Sequence, residues 1–166
     1  MYDYRISGAN DTVTLSLVRR SASTKRPRDF QRSKVYSWER AVFGRPTEKL
    51  TLEQCAELAN KICGFKVTVK DGRGRRKACA YYETRTIALP KWARCEWVVI
   101  HECAHLLTDR EHASHGAHYM KNYIRLLDQS YAFALLPSGR AAHLPVHIGE
   151  QGLTECAKRF GLKVAE

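Results

Sequence analysis

His101, Glu102 and His105 stand in the order HECAH inside the apolar stretch WVVIHECAHLL. On a helix, residues four apart share one face with their Cβ atoms about 5 to 6 Å apart, so two imidazoles at this spacing can converge on one metal ion. Glu102 directly follows the first histidine. It therefore sits beside such an ion rather than on it, where a carboxylate can take a proton from water. The flanking Val98, Val99, Ile100, Leu106 and Leu107 predict that this helix belongs to the core. Burying one Glu and two His there without partners would cost on the order of several kcal/mol, and metal binding removes that cost. The alternative is a pair of hydrogen-bonded core histidines with a buried ion pair, which needs no metal.

A catalytic zinc site takes three protein ligands and leaves a fourth position to water. Glu111, His112, His115 and His118 are the candidates for the third. A metzincin pattern would need Gly at position 108 and His at 111, where the chain has Thr108 and Glu111. His115 is the best placed. It precedes Gly116 at the start of the next helix, where the chain has had room to reverse and a glycine permits close backbone approach to the active helix. His112, Glu111 and His118 stay open. Cys103 faces away from the ligand pair by helical phase and reads as a packed thiol. Tyr123, Tyr131, His118 and His143 are unranked candidates for steadying an oxyanion.

The elements that hold these residues follow from apolar spacing. Thr12 to Val18 alternates as a strand, and Arg19 to Arg28 reads as a solvated basic arm. Val35, Trp38, Ala41 and Val42 predict a first helix within Arg28 to Phe43, with Arg32, Lys34, Glu39 and Arg40 between them on the polar positions. Thr51 and Gln54 have capping-box spacing and open a second helix that ends near Gly64. Phe65 to Val69 and Ala78 to Tyr82 read as a hairpin with the basic tip GRGRRK, followed by a short strand at Thr86 to Leu89. Helical patterns then run over Trp92 to Leu107, from about Tyr119 to Ser130, and over Leu153 to Phe160. The expectation is an α+β fold: a small, mainly antiparallel sheet packed on helices, one of which carries HExxH. Residues 1–27 form an N-terminal strand and basic arm, 28–130 the metallohydrolase core, and 131–166 a loop-rich C-terminal extension with a short helix.

A chain of 166 residues with 44% hydrophobic and 27% charged residues suits one globular domain and excludes a disordered or fibrous protein. Its longest apolar runs, such as Trp97 to Ile100, fall far short of the roughly 20 residues that cross a bilayer. The start MYDYRISGAND lacks the basic and apolar segments of a secretory signal, and the six scattered cysteines form no CxxC pair. Together these predict a cytoplasmic protein with reduced thiols. Twenty-eight Lys and Arg against seventeen Asp and Glu give +11, which makes a polyanion, nucleic acid above all, a candidate partner. The residues offered to it are Arg19, Arg20, Lys25, Arg26, Arg28, Arg73, Arg75, Arg76 and Lys77.

HECAH followed by HGAHY resembles the HExxH…HGxxF signature of SprT-like zinc metallopeptidases, including small metallohydrolases of actinobacteria and their phages. The similarity runs from about Arg28 to Asp128, through RDFQRSKVYSWE at the first helix and TIALPKWAR before the motif helix. It implies a compact zincin-like domain of the minimal gluzincin type, with His101, His105 and His115 binding zinc and Glu102 as the base. Two features depart from the family: a short gap between His105 and His115, and Tyr119 in place of the usual Phe. The C-terminal zinc ribbon of some relatives has no counterpart here.

The function expected is zinc-dependent hydrolysis of peptide bonds by Glu-assisted attack of water, on proteins associated with nucleic acid. An extended substrate would add to the edge of the strand at Thr86 to Leu89. Two rivals stand beside it: a metal-dependent hydrolase acting on nucleic acid, and a basic nucleic-acid-binding module with a structural zinc.

Overall fold

The computed structural model describes residues 2–7, 14–19, 27–44, 49–132 and 149–166, with the backbone alone for 2–7, 14–19 and 131–132. Strand β1 (Tyr2–Ser7) pairs antiparallel with β2 (Thr14–Arg19), Tyr2 lying opposite Arg19. The strand expected at 12–18 thus gains a partner that its own alternation did not reveal. Arg20, Lys25 and Arg26 of the expected arm, and residues 133–148 of the expected extension, lie outside the described residues.

Helix α1 (Arg32–Phe43) buries Val35, Trp38 and, against expectation, Glu39. Helix α2 (Leu52–Cys63) starts where the sequence places it. Gln54 N–H donates to Thr51 Oγ1 at 3.2 Å, and Thr51 N–H donates to Gln54 Oε1 at 2.9 Å. Such a cap contributes about 1 kcal/mol. The helix ends at Gly64, whose φ of 69° is the left-handed conformation that favours glycine.

Three strands follow: β3 (Thr68–Asp71), β4 (Cys79–Tyr81) and β5 (Thr86–Leu89), in the order β3-β5-β4. Strand β5 runs parallel with β3 and antiparallel with β4, so this sheet is mixed. The α+β class is as expected; the hairpin between 65–69 and 78–82 is not, because β5 lies between its two arms. The cause is burial. All four residues of β5 are buried, whereas β3 and β4 are exposed or half-buried, so the apolar strand takes the centre. The tight turn joins β4 to β5 instead, with Arg85 N–H donating to Tyr82 O at 3.2 Å. Substrate addition to the edge of β5 is therefore ruled out, since both its edges are occupied. At Gly72 an added Cβ would lie 2.6 Å from the Pro90 nitrogen, so the chain leaving β3 can pass the end of β5 only without a side chain.

A 3-10 turn at Lys91–Ala93 leads into α3 (Glu96–Leu106), and α4 (Ala117–Ala132) and α5 (Gly149–Arg159) complete the order. Every residue of α3 from Val98 to Ala104 is buried, including His101 and Glu102. The helix lies against α2, α4 and β4. Trp38 of α1 meets Tyr123 of α4 edge-on at 5.8 Å, joining the first helix to the core behind the motif. All six cysteines are unpaired thiols, and Cys103 is fully buried as its helical phase predicts. Among the described residues no helix is long and apolar enough to cross a membrane.

Candidate metal centre

His101 and His105 project from successive turns of α3, and His115 from the loop entering α4. His101 Nε2 lies 3.2 Å from His105 Nε2 and 3.4 Å from His115 Nε2. One nitrogen of each ring lies within 4.8 Å of the others, and the group could hold a metal ion. Of the four residues considered for the third position, His115 joins the pair. His112 and His118 stack on each other at 3.7 Å, and Glu111 is exposed.

Two carboxylates complete the cluster from behind. His101 Nδ1–H donates to Glu39 Oε1 at 2.5 Å, and His115 Nδ1–H donates to Asp29 Oδ2 at 2.6 Å. With the hydrogen on Nδ1, each ring turns its Nε2 lone pair towards the cluster. Lone pairs facing one another at 3.4 Å repel, and a cation among them converts that repulsion into ligation. Burial is the largest influence on His101 and lowers its pKa, but the charge and hydrogen bond of Glu39 together with the charge of Glu102 outweigh it, and the net direction is upward. His115 moves down, through burial and the neighbouring His101, with Asp29 opposing.

The loop that delivers His115 is fixed at several points. Gln31, buried at the start of α1, donates from Nε2 to His115 O at 3.0 Å and accepts the Lys163 N–H at 2.5 Å. Thr108 Oγ1 donates to Ala104 O at 2.7 Å, and Asn122 Nδ2 on α4 donates to Leu107 O at 3.0 Å. Gly116 serves a different purpose from the one expected. A Cβ there would meet Ala113 Cβ at 3.1 Å and Ala113 O at 3.2 Å, so the glycine accommodates its own turn, not an approach to α3.

Glu102 is buried beside the trio, and burial pushes its carboxyl up to about 7, with Glu39 adding and His101 and the Ala80 N–H of β4 opposing. It shares with His101 one wall of a cavity of about 570 Å³. Tyr119 packs against the trio: its buried ring lies 5.4, 4.6 and 5.0 Å from those of His101, His105 and His115. Tyr36 of α1, 38% exposed, stacks on His101 at 5.9 Å and lines the same cavity. Burial, then the carboxylates of Glu39 and Glu102, raise its pKa, so its hydroxyl stays a donor.

No protein-family model, curated protein or solved structure matches this chain. The reading of the centre therefore rests on its own residues. Among the oxyanion candidates, Tyr123 is buried and donates from its hydroxyl to Trp97 O at 3.3 Å, and His118 is exposed on the far side of His112. The Tyr131 side chain and His143 lie outside the described residues. Glu39, Asp29, Gln31 and Tyr36 were not anticipated. One signal was present for Glu39: it stands at i+4 from Val35, on the apolar stripe, where a carboxylate is out of place unless it has a partner.

The basic residues offered to a polyanion that the structure describes have individual surroundings. The Arg19 side chain, like Arg20, Lys25 and Arg26, is outside the described residues. Arg28 lies over the Phe30 ring, Arg73 beside Asp71 at 3.8 Å, and Arg75 over the Tyr81 ring. Arg76 and Lys77 line the cavity that Glu102 shares.

Proposed function

We propose that this chain is a zinc-dependent metallopeptidase of the SprT-like kind. One observation carries the reading: three imidazole nitrogens converge beside a cavity whose wall also holds a buried glutamate. Nitrogens bound at about 2.0–2.1 Å around a tetrahedral zinc stand roughly 3.3 Å apart. The 3.2 and 3.4 Å separations here suit that ion, as does an all-imidazole donor set with no thiolate. Three ligands, not four, among the described residues favour a catalytic over a structural centre.

His101, His105 and His115 would hold the ion, each through Nε2, with Glu39 and Asp29 fixing the tautomers of the first and third. Zinc, when bound, supplies Lewis acidity that brings the pKa of a coordinated water towards 7. Glu102 takes the proton from water at its carboxylate and returns it to the amide nitrogen as the leaving amine forms. A carboxyl held in the core beside the cavity wall is desolvated, so its proton affinity is close to what transfer near neutral pH requires. Tyr36 donates its hydroxyl to the carbonyl oxygen as charge builds there. An extended substrate has the outer edge of β4 beside Glu102, in place of the occupied edges of β5.

The test compares zinc-loaded wild type with zinc-loaded Glu102→Gln on unfolded casein. Loss of cleavage by about 10³-fold with zinc retained is the expected result. Equal cleavage by the two proteins would remove Glu102 from the chemistry and the peptidase reading with it.

A further inference from the structure

The cavity beside Glu102 is lined by charged groups of two kinds. His101, Glu102 and Glu39 are the first, Glu39 being committed to His101 Nδ1. Arg40, Arg76 and Lys77 are the second, brought from the last turn of α1 and from the loop between β3 and β4. All three cations are exposed, and none has a carboxylate partner among the described residues. Aromatic side chains line it as well: Tyr36, Trp92 at 47% exposed, and Trp97, which is held flat against Phe43 at 5.6 Å. A space of about 570 Å³ admits more than a single small side chain and lies in the range of specific ligand sites.

We infer that this cavity is a specificity subsite for acidic peptide segments, with Arg40, Arg76 and Lys77 holding Asp or Glu side chains of the substrate next to the bond being cut. The inference rests on the peptidase reading for the cut itself, but the recognition stands on the cavity alone. Three cations without a carboxylate partner among the described residues, around an aromatic-walled space, favour an anion that exchanges water for them. The mixed lining selects the kind of anion. A peptide can place carboxylates on the cations while presenting a neutral amide to Glu102. A nucleic-acid strand carries a phosphate at every nucleotide, and would bring that charge against Glu102 and Glu39 as well. The basic loop that the sequence offers to nucleic acid is thereby divided. Arg73 lies 3.8 Å from Asp71 and Arg75 over the Tyr81 ring, whereas Arg76 and Lys77 line the cavity.

The test measures fluorescence anisotropy of labelled, capped heptapeptides identical except for three central Glu, Gln or Lys residues. The protein is zinc-loaded Glu102→Gln, alone and combined with Arg40→Gln, Arg76→Gln and Lys77→Gln; the three added substitutions lie on exposed positions and are checked for fold by circular dichroism. The Glu peptide is expected to bind about tenfold tighter than the Gln peptide and tighter still than the Lys peptide. The preference should shrink as salt rises and vanish in the neutralised protein. Equal binding of the three peptides, or a preference that survives neutralisation, would overturn the inference. So would a labelled thymidine oligonucleotide that binds tighter than the Glu peptide and loses its affinity on neutralisation. A failure of the peptidase reading looks different: the Glu peptide binds with its preference intact, and zinc-loaded wild type leaves it uncut.

Discussion

Glu39 Oε1 lies 2.5 Å from Nδ1 of His101, across 62 residues of sequence, with both groups buried. A carboxylate in that position fixes which nitrogen of the imidazole carries the hydrogen and raises the basicity of the other. Asp29 does the same for His115 from the segment just ahead of α1. The first helix and the segment leading into it thus frame two of the three rings of the candidate centre.

Glu39→Gln and Asp29→Asn should each weaken zinc binding by about 10- to 100-fold while preserving the fold. Competition against a chromophoric chelator measures this directly. Unchanged affinity in both variants would mean that the carboxylates stabilise the core without orienting the rings.

Tyr36→Phe removes a hydroxyl of the cavity wall whose ring stacks on His101. A loss of about 10²-fold in kcat with little change in KM for peptide is expected if that hydroxyl steadies the oxyanion. A change confined to KM would assign Tyr36 to substrate binding alone.

Much of this arrangement was legible in the sequence. Thr51 and Gln54 marked the start of α2 because a capping box is a local device, complete within four residues. His101, Glu102 and His105 were readable because helical spacing alone brings them together. His115 was a choice among four, and its selection depends on Gln31, Asp29 and Asn122, contacts that no local pattern encodes. The strand pairing failed for the same reason. Asp71 and Gly72 are turn residues, yet the partner of β3 is β5, chosen by burial of Ile87 and Leu89 in the core.

The hydroxyl of Tyr119 is buried with no hydrogen-bond partner among the described residues. An unsatisfied buried hydroxyl is a net cost, so Tyr119→Phe should stabilise the fold by about 1 kcal/mol and leave zinc binding intact. Chemical denaturation gives the value. Destabilisation by a similar amount would show that the hydroxyl is bonded.

Burial pushes the thiol of Cys55 up to about 11 and that of Cys95 to about 12, from an ordinary value near 9. Above pH 9 the unfolded chain releases these protons and the folded chain keeps them, so the unfolded state binds fewer. Their contribution to stability is complete below pH 9 and is lost as pH rises towards 11 to 12. Denaturation midpoints between pH 8.5 and 10.5 should fall, and fall less in the double variant Cys55→Ala, Cys95→Ala. Identical slopes would show that these thiols are not the source.

X-ray absorption at the zinc edge of the loaded protein tests the centre most directly. The expected spectrum has three imidazole nitrogens at about 2.0–2.1 Å and one further oxygen, with one imidazole lost in His115→Ala. A sulfur shell at about 2.3 Å, a fourth imidazole, or a His115→Ala spectrum identical to wild type would contradict a three-histidine site with an open position.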